Sequence, residues 1–271
     1  MRFRMLGPLL VYDGASWSAI RAAQQRLVAA VLLIEAGRAV PVDRLVDELW
    51  GERPPANAAK SVQVHVSRLR RTLAGGQGDA LAGLVVTRER GYELELDRDR
   101  LDAERFERLV AEGRGELAAG RPERAASLLE RALALWRGPP LADLAYEPFA
   151  QREIARLEDL RLGALEQLIE AKLALGAHAE LVGRLEGLIA EHPYRERLRA
   201  QLMLALYRSD RQADALQAYQ DARRTLVEDL GIEPGERLRE LERAILAQDP
   251  ALALPAVETA QPAAAEPAPA A

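Results

Sequence analysis

The chain has 271 residues, a formal net charge of −5 and no cysteine, which excludes a disulfide framework and any thiolate metal site. Aromatic residues make up only 4% of it, and alanine, leucine, arginine and glutamate recur at helical spacing, so the fold class expected is mainly α. The charge is unevenly divided: residues 1–97 hold 13 Lys+Arg against 11 Asp+Glu and residues 98–271 hold 24 against 31, which points to two domains with different partners.

The chain begins without the charged-then-apolar pattern of a signal peptide. Its longest apolar run, LVAAVLLI at 27–34, is far shorter than a membrane span, so the expected location is cytoplasmic. Residues 2–12, RFRMLGPLLVY, alternate loosely around a Gly-Pro break and predict short strands before a turn at Asp13-Gly14. From Arg21 to about Ala36, the spacing of Leu27, Val31 and Ile34 predicts an amphipathic helix that stops at Gly37. Residues 42–50 predict a second, short helix with Leu45, Val46 and Leu49 on one face and Gly51 at its end. Pro54-Pro55 separates it from a third helix, for which Asn57 is a suitable N-cap. After a glycine-rich loop, GGQG, residues 84–96 read LVVTRERGYELEL, and their alternation around Gly91 predicts a hairpin.

The third helix contains the stretch SVQVHVSRLRRTL at 61–73 and lies in a window, 53–78, with five basic residues and no acidic one. At 100° per residue, Val62, Val66, Leu69 and Leu73 form a narrow apolar stripe. Lys60, Gln63, Val64, Ser67, Arg68 and Arg71 fall on the opposite side, a cationic face without a carboxylate. Arg70 falls near the stripe's edge, and His65 lies about 60° from the stripe, where boundary packing is the better reading. A solvated helix face usually mixes both signs of charge, so this face points to nucleic acid, with two preceding helices as a helix-turn-helix scaffold and a hairpin as a wing. Gln63 suits bidentate pairing with adenine, Ser67 suits either kind of base, and Val64 suits a thymine methyl. Lys60, Arg68 and Arg71 suit guanine or phosphate, and Arg53, Arg88 and Arg90 suit phosphate or the minor groove.

The residues AGRAVPVDRLVDELWGERPP, SVQVHVSRLRRTL and VTRERGY together resemble the OmpR-type winged-helix domain, in the form found in the Streptomyces antibiotic regulatory protein (SARP) family. The resemblance implies that the third helix enters the major groove, that the wing contacts flanking DNA and that a four-stranded N-terminal sheet packs behind. Arg88, Gly91 and Tyr92 match the wing pattern, whereas Glu89 stands where such wings usually carry glycine.

The remaining chain is repetitive. LIEAKLALGAHAELVGRLEGLI from Leu168 aligns with LMLALYRSDRQADALQAYQDAR from Leu202 at a period of 34 residues, and ELAAGRPERAASLLERALALW is a more divergent copy in which Gly120 matches Gly176. This period predicts stacked helix pairs of the tetratricopeptide type. The segments LALWRGPPLADL, EHPYRERLRAQLMLALYRSDRQADALQAYQ and LGIEPGERLRELERAIL resemble the bacterial transcriptional activator domain that follows the winged helix in SARP proteins. Ala177 stands where that family often has arginine, and Asp210 where it often has glycine.

The domains expected are therefore a winged helix-turn-helix at 1–97, an all-α tetratricopeptide-like domain at 98–250 and an alanine- and proline-rich disordered tail at 251–271. No phosphate-binding Gly-rich motif ending in Gly-Lys-Ser/Thr is present, the three histidines share no metal-ligand spacing, and nothing suggests an enzyme or a cofactor. Trp50 and Trp136 are expected to pack against the core, and Tyr92 to pack the wing onto the body. The resemblance implies an activator, typically of an antibiotic biosynthesis cluster. It would bind tandem direct repeats near the −35 element as a side-by-side pair and recruit RNA polymerase through the C-terminal domain of the polymerase α chain and through the σ factor. A tetratricopeptide-type scaffold whose winged helix touches only protein, and a repressor using the same DNA contacts, are the alternatives.

Overall fold

The computed structural model describes residues 3–12, 14–74, 82–97 and 100–253. Asp13 of the expected turn, the GGQG loop at 75–78 and the tail from 254 onward lie outside them. The chain divides into two compact units, one ending at Ala171 and the other starting at Lys172. This is a different division from the boundary at 97/98 drawn from charge and motif.

The first unit opens with β1 (Phe3–Arg4), β2 (Leu10–Tyr12) and β3 (Trp17–Ala19), an antiparallel sheet in that order, with Phe3 opposite Val11 and Val11 opposite Ser18. Among the described residues the sheet has three strands where the resemblance implied four. The segment between β1 and β2 makes its backbone bonds to the helical region that follows the wing. Met5 N and Leu6 N donate to the buried carboxylate of Asp102 at 2.7 and 3.2 Å, Leu9 N donates to Asp143 at 2.8 Å, and Arg137 N and Leu141 N donate to the carbonyls of Leu6 and Met5. With its donors and acceptors used in this way, the segment cannot extend the sheet ladder. The free edge of β1 instead meets Leu101 in a single parallel bridge.

Three helices follow, α1 (Ala23–Ile34), α2 (Val42–Trp50) and α3 (Ala58–Ala74), with α1 packed against α2 and α3 and α2 packed against α3. Every residue from Leu27 to Leu33 is buried, which explains why this stretch reads as an apolar run rather than a stripe. Gly37, at φ +77°, turns the chain after α1 and donates from its N–H to Leu94 O at 3.0 Å. That turn delivers a short strand absent from the elements expected, β4 (Ala39–Pro41). It pairs with the wing hairpin of β5 (Val85–Arg88) and β6 (Gly91–Leu94) in the order β4-β6-β5.

Helices α4 (Asp102–Ala118) and α5 (Pro122–Leu133) form an antiparallel pair in the same unit, followed by α6 (Pro148–Ala174), which continues past Ala171. One buried cluster runs from Phe3 and Met5 through Leu32, Val66 and Tyr92 to Phe106, Leu129 and Leu157, so the winged helix and the first helical pair share a core. Trp136 lies against that core, edge-on to Phe106 at 5.4 Å. The second unit holds α7 (His178–Glu191), α8 (Glu196–Tyr207), α9 (Gln212–Leu230) and α10 (Glu236–Leu246), with α8 packed on α7, α9 and α10. The repeat is visible in the backbone: Gly176 and Asp210, 34 residues apart, and Gly120, the matching position of the more divergent copy, all have left-handed φ, at +89°, +61° and +71°. Residues Pro250–Leu252, which include the first two residues of the tail expected at 251–271, form a 3-10 turn whose Ala251 N–H is capped by Asp249 at 2.9 Å.

Candidate nucleic-acid interface

Helix α3 is anchored by the four residues of its stripe, Val62, Val66, Leu69 and Leu73, each at most 2% exposed. Asn57 O accepts the first helical bond from Ser61 N at 3.0 Å. Burial of the stripe fixes which face turns outward. Lys60, Gln63, Val64, Ser67, Arg68 and Arg71 are all exposed, and Val64, at 41%, is one of few large apolar side chains left uncovered in this unit. Among the described residues, Arg53, Lys60, Arg68, Arg71 and Arg90 form no ion pair. Arg53 is exposed in the segment between α2 and α3 and donates its backbone N–H to Trp50 O at 3.1 Å.

His65 sits at the edge of this face, half-buried, with its ring 6.1 Å from that of Trp50. Burial, and then the positive charge of Arg68, hold its imidazole below the usual histidine range, which favours the neutral ring. Its role here is packing.

Arg70 has a specific task that helical phasing left open. Its Nε donates to Val85 O at 2.9 Å and its Nη2 to Thr87 Oγ1 at 2.8 Å, while the guanidinium lies 5.8 Å over the Tyr92 ring. These contacts fix β5 to the helix beside Arg71. A planar five-donor group can satisfy a carbonyl and a hydroxyl at once, which lysine at this position would not do in the same geometry. Tyr92 itself is 7% exposed and packs the wing against the body.

The hairpin pairs Arg88 with Gly91 and Val86 with Glu93, leaving Glu89 and Arg90 as its two-residue tip. Neither tip residue has positive φ, so the turn does not require glycine where Glu89 stands. Gly91 is required for a different reason: a Cβ there would lie 1.9 Å from Val40 O on the neighbouring strand. Arg90 is exposed at the tip. Arg88 is exposed too, but its Nε donates to Glu93 Oε2 at 2.6 Å and its Nη2 to Glu95 Oε1. The hydrogen bond it donates to Glu93 is the main reason its guanidinium is held above the usual arginine range. The six helix residues thus share one face, Arg53 precedes it, and the wing supplies Arg88, paired, and Arg90, which has no ion-pair partner among the described residues.

The arrangement offers ionic donors, an amide, a hydroxyl and methyl groups on a convex helix, the chemistry of groove recognition rather than of bond making. Among the described residues, no group of three or more histidine, aspartate or glutamate side chains is placed to hold a metal ion, and no helix is long and apolar enough to cross a membrane.

Known proteins share this architecture. The family model described as transcriptional regulatory protein, C terminal, matches residues 21–94, and that described as bacterial transcriptional activator domain matches residues 101–246. The chain is 41% identical over 263 residues to the transcriptional regulator RedD of Streptomyces coelicolor, a match covering 97% of this chain and 75% of that protein. It is 40% identical to the regulatory protein DnrI of Streptomyces peucetius, covering 93% and 94% of the two chains. The solved structure of Mycobacterium tuberculosis EmbR in complex with a low affinity phosphopeptide matches with a TM-score of 0.88 at 39% identity, over 92% of this chain and 65% of that one. One family model spans more than half of the chain, and relatives about 40% identical cover nearly all of it; the chain therefore belongs to the SARP family of transcriptional regulators, with an OmpR-type DNA-binding domain followed by a bacterial transcriptional activator domain.

Proposed function

We propose that this protein is a sequence-specific activator, acting in the cytoplasm at the nucleoid, that binds tandem direct repeats near the −35 element of antibiotic biosynthesis promoters. The winged helix at 1–97 performs recognition and the helical region at 98–250 performs assembly. The observation that carries this reading is the exposed face of α3, where Lys60, Arg68 and Arg71 have no carboxylate partner among the described residues and surround Gln63, Val64 and Ser67. Unpaired cations release counterions on meeting phosphate and so provide affinity, whereas Gln63, Ser67 and Val64 have the donors, acceptors and methyl groups that distinguish bases. Arg53 and Arg90 flank that face as phosphate or minor-groove contacts. Two copies bind side by side on the repeats, and the acidic helical region then meets RNA polymerase at the C-terminal domain of its α chain and at its σ factor.

Selection of bound sequences from random duplex DNA, followed by transcription of the selected sites with purified polymerase, tests this. The expected result is two copies of one motif in the same orientation and increased transcript. Inverted motifs, a lack of sequence enrichment, or reduced transcript would overturn it.

A further inference from the structure

The wing carries an arginine that the protein itself has already engaged. In the β5/β6 register the residue opposite Arg88 is Gly91, which offers no side chain and which the approach of Val40 O keeps that way. Side chains at 86, 88, 93 and 95 lie on one face of the hairpin, because alternate residues share a face. Unopposed across the ladder, Arg88 lies along that face to the diagonal Glu93, at 2.6 Å, and onward to Glu95. Glu93 is held firmly, since β6 is the central strand of its sheet and the Glu93 side chain is only 17% exposed. The other candidate cations, Arg53, Lys60, Arg68, Arg71 and Arg90, have no such partner among the described residues.

We propose that Glu93 and Glu95 are specificity-setting residues of the wing, which compete with the DNA backbone for the Arg88 guanidinium and so limit what the wing adds to affinity. The proposal rests on the reading of the winged helix as the DNA-binding element. For Arg88 to grip a phosphate through Nε and Nη2 it must leave two charge-assisted hydrogen bonds, and to reach one through Nη1 alone it must bring both carboxylates toward the backbone. Two carboxylates are then left beside the polyanion, unneutralised. In water such exposed pairs contribute little to stability, but next to DNA the balance changes, because the released carboxylates repel the same phosphates that attract the arginine. Affinity is thereby concentrated on the recognition helix, where the base-reading side chains are, and the nonspecific contribution of the wing is held down.

The test is a double-mutant cycle on the full chain, read by fluorescence anisotropy with a selected operator duplex over a series of KCl concentrations. Its members are the wild type, the double variant Glu93→Gln/Glu95→Gln, Arg88→Gln and the triple variant, with Glu95→Gln alone as a milder form should the double variant melt early. Freeing Arg88 is expected to make the slope of log affinity against log salt more negative by about 0.9 and to raise affinity by up to roughly tenfold near ~0.1 M salt. Arg88→Gln is expected to cost more affinity in the double-glutamine background than in the wild type. An equal gain with and without Arg88 would show a general charge effect and overturn the proposal, as would no gain at all. If Arg68→Ala and Arg71→Ala bind as the wild type does, the DNA-binding reading of this face has failed; if they weaken binding and the cycle shows no coupling, only the present proposal has failed.

Discussion

Arg70 and Arg71 are neighbours with opposite tasks. Arg71 points into solvent on the face of α3, whereas Arg70 is bonded to Val85 and Thr87 and covers Tyr92. Arg70→Ala is therefore expected to lower stability by about 1 kcal/mol, because a charged donor leaves the partly covered Val85 carbonyl, whereas the exposed Thr87 hydroxyl can turn to water. Arg71→Ala is expected to change stability by less than about 0.5 kcal/mol and to act on DNA binding instead. Urea denaturation of both variants checks the contrast; equal losses would contradict it. The sequence assigned Arg71 to a face by phase alone, since 100° per residue places it opposite the stripe. It left Arg70 ambiguous because that position is decided by a strand 15 residues further on. The engagement of Arg88 was hidden for the same reason: Glu93 and Glu95 meet it through a register that a single sequence does not state.

At the scale of elements, α1, α2, α3 and the wing hairpin were legible because each has a periodic apolar set and a glycine or proline at its end. Strand β4 was not, being three residues long and defined by its partner β6 rather than by its own pattern. The sheet expected to have four strands has three, since the segment around Gly7 bonds to Asp102, Asp143, Arg137 and Leu141. The repeat turns were legible at two levels: a 34-residue period located those at Gly176 and Asp210 and a divergent copy the one at Gly120, and two of the three carry glycine. Asp210 is the exception, a left-handed non-glycine residue at φ +61°. Aspartate tolerates this region better than most residues but is still strained there. Asp210→Gly is expected to raise stability by about 0.5 kcal/mol, the relief of backbone strain exceeding the added entropy of the unfolded chain. A lowered thermal midpoint for this variant would show instead that the Asp210 side chain stabilises the turn.

For the molecule as a whole, the sign change in charge near residue 97 does not coincide with a change of core. Asp102 is 1% exposed and holds Met5 and Leu6, with Arg137 at 3.6 Å and with Arg26 and Asp143 paired nearby at 3.3 Å. The bonds from Met5 and Leu6 to Asp102 span more than 90 residues of sequence, and no local pattern announces them. Asp102→Ala is expected to cost about 3 kcal/mol, because two buried N–H groups lose their acceptor, and Asp102→Asn is expected to cost less, because an amide oxygen still accepts. The pH dependence has a definite sign. Burial is the dominant influence and raises the Asp102 carboxyl above its usual range, against the Met5 and Leu6 N–H groups and Arg137. The folded protein then holds its proton more tightly than the unfolded chain, so this residue's stabilising contribution is full in acid and is lost as pH rises from about 4. The stability gap between wild type and Asp102→Asn is expected to narrow as pH rises above about 4, the unfolded-state range, as chemical denaturation at each pH would show. A gap that widens with pH would mean that the ionised form is the one the fold favours.

Recognition by this protein depends above all on the exposed face of α3 being the surface that meets DNA. The most direct measurement is the salt dependence of operator binding by the full chain, compared between wild type, Arg68→Ala and Arg71→Ala. If these side chains hold phosphates, each substitution weakens binding and makes the slope of log affinity against log salt less negative by about 0.9 per lost contact. Binding by both variants that matches the wild type in affinity and slope at every salt concentration would contradict it.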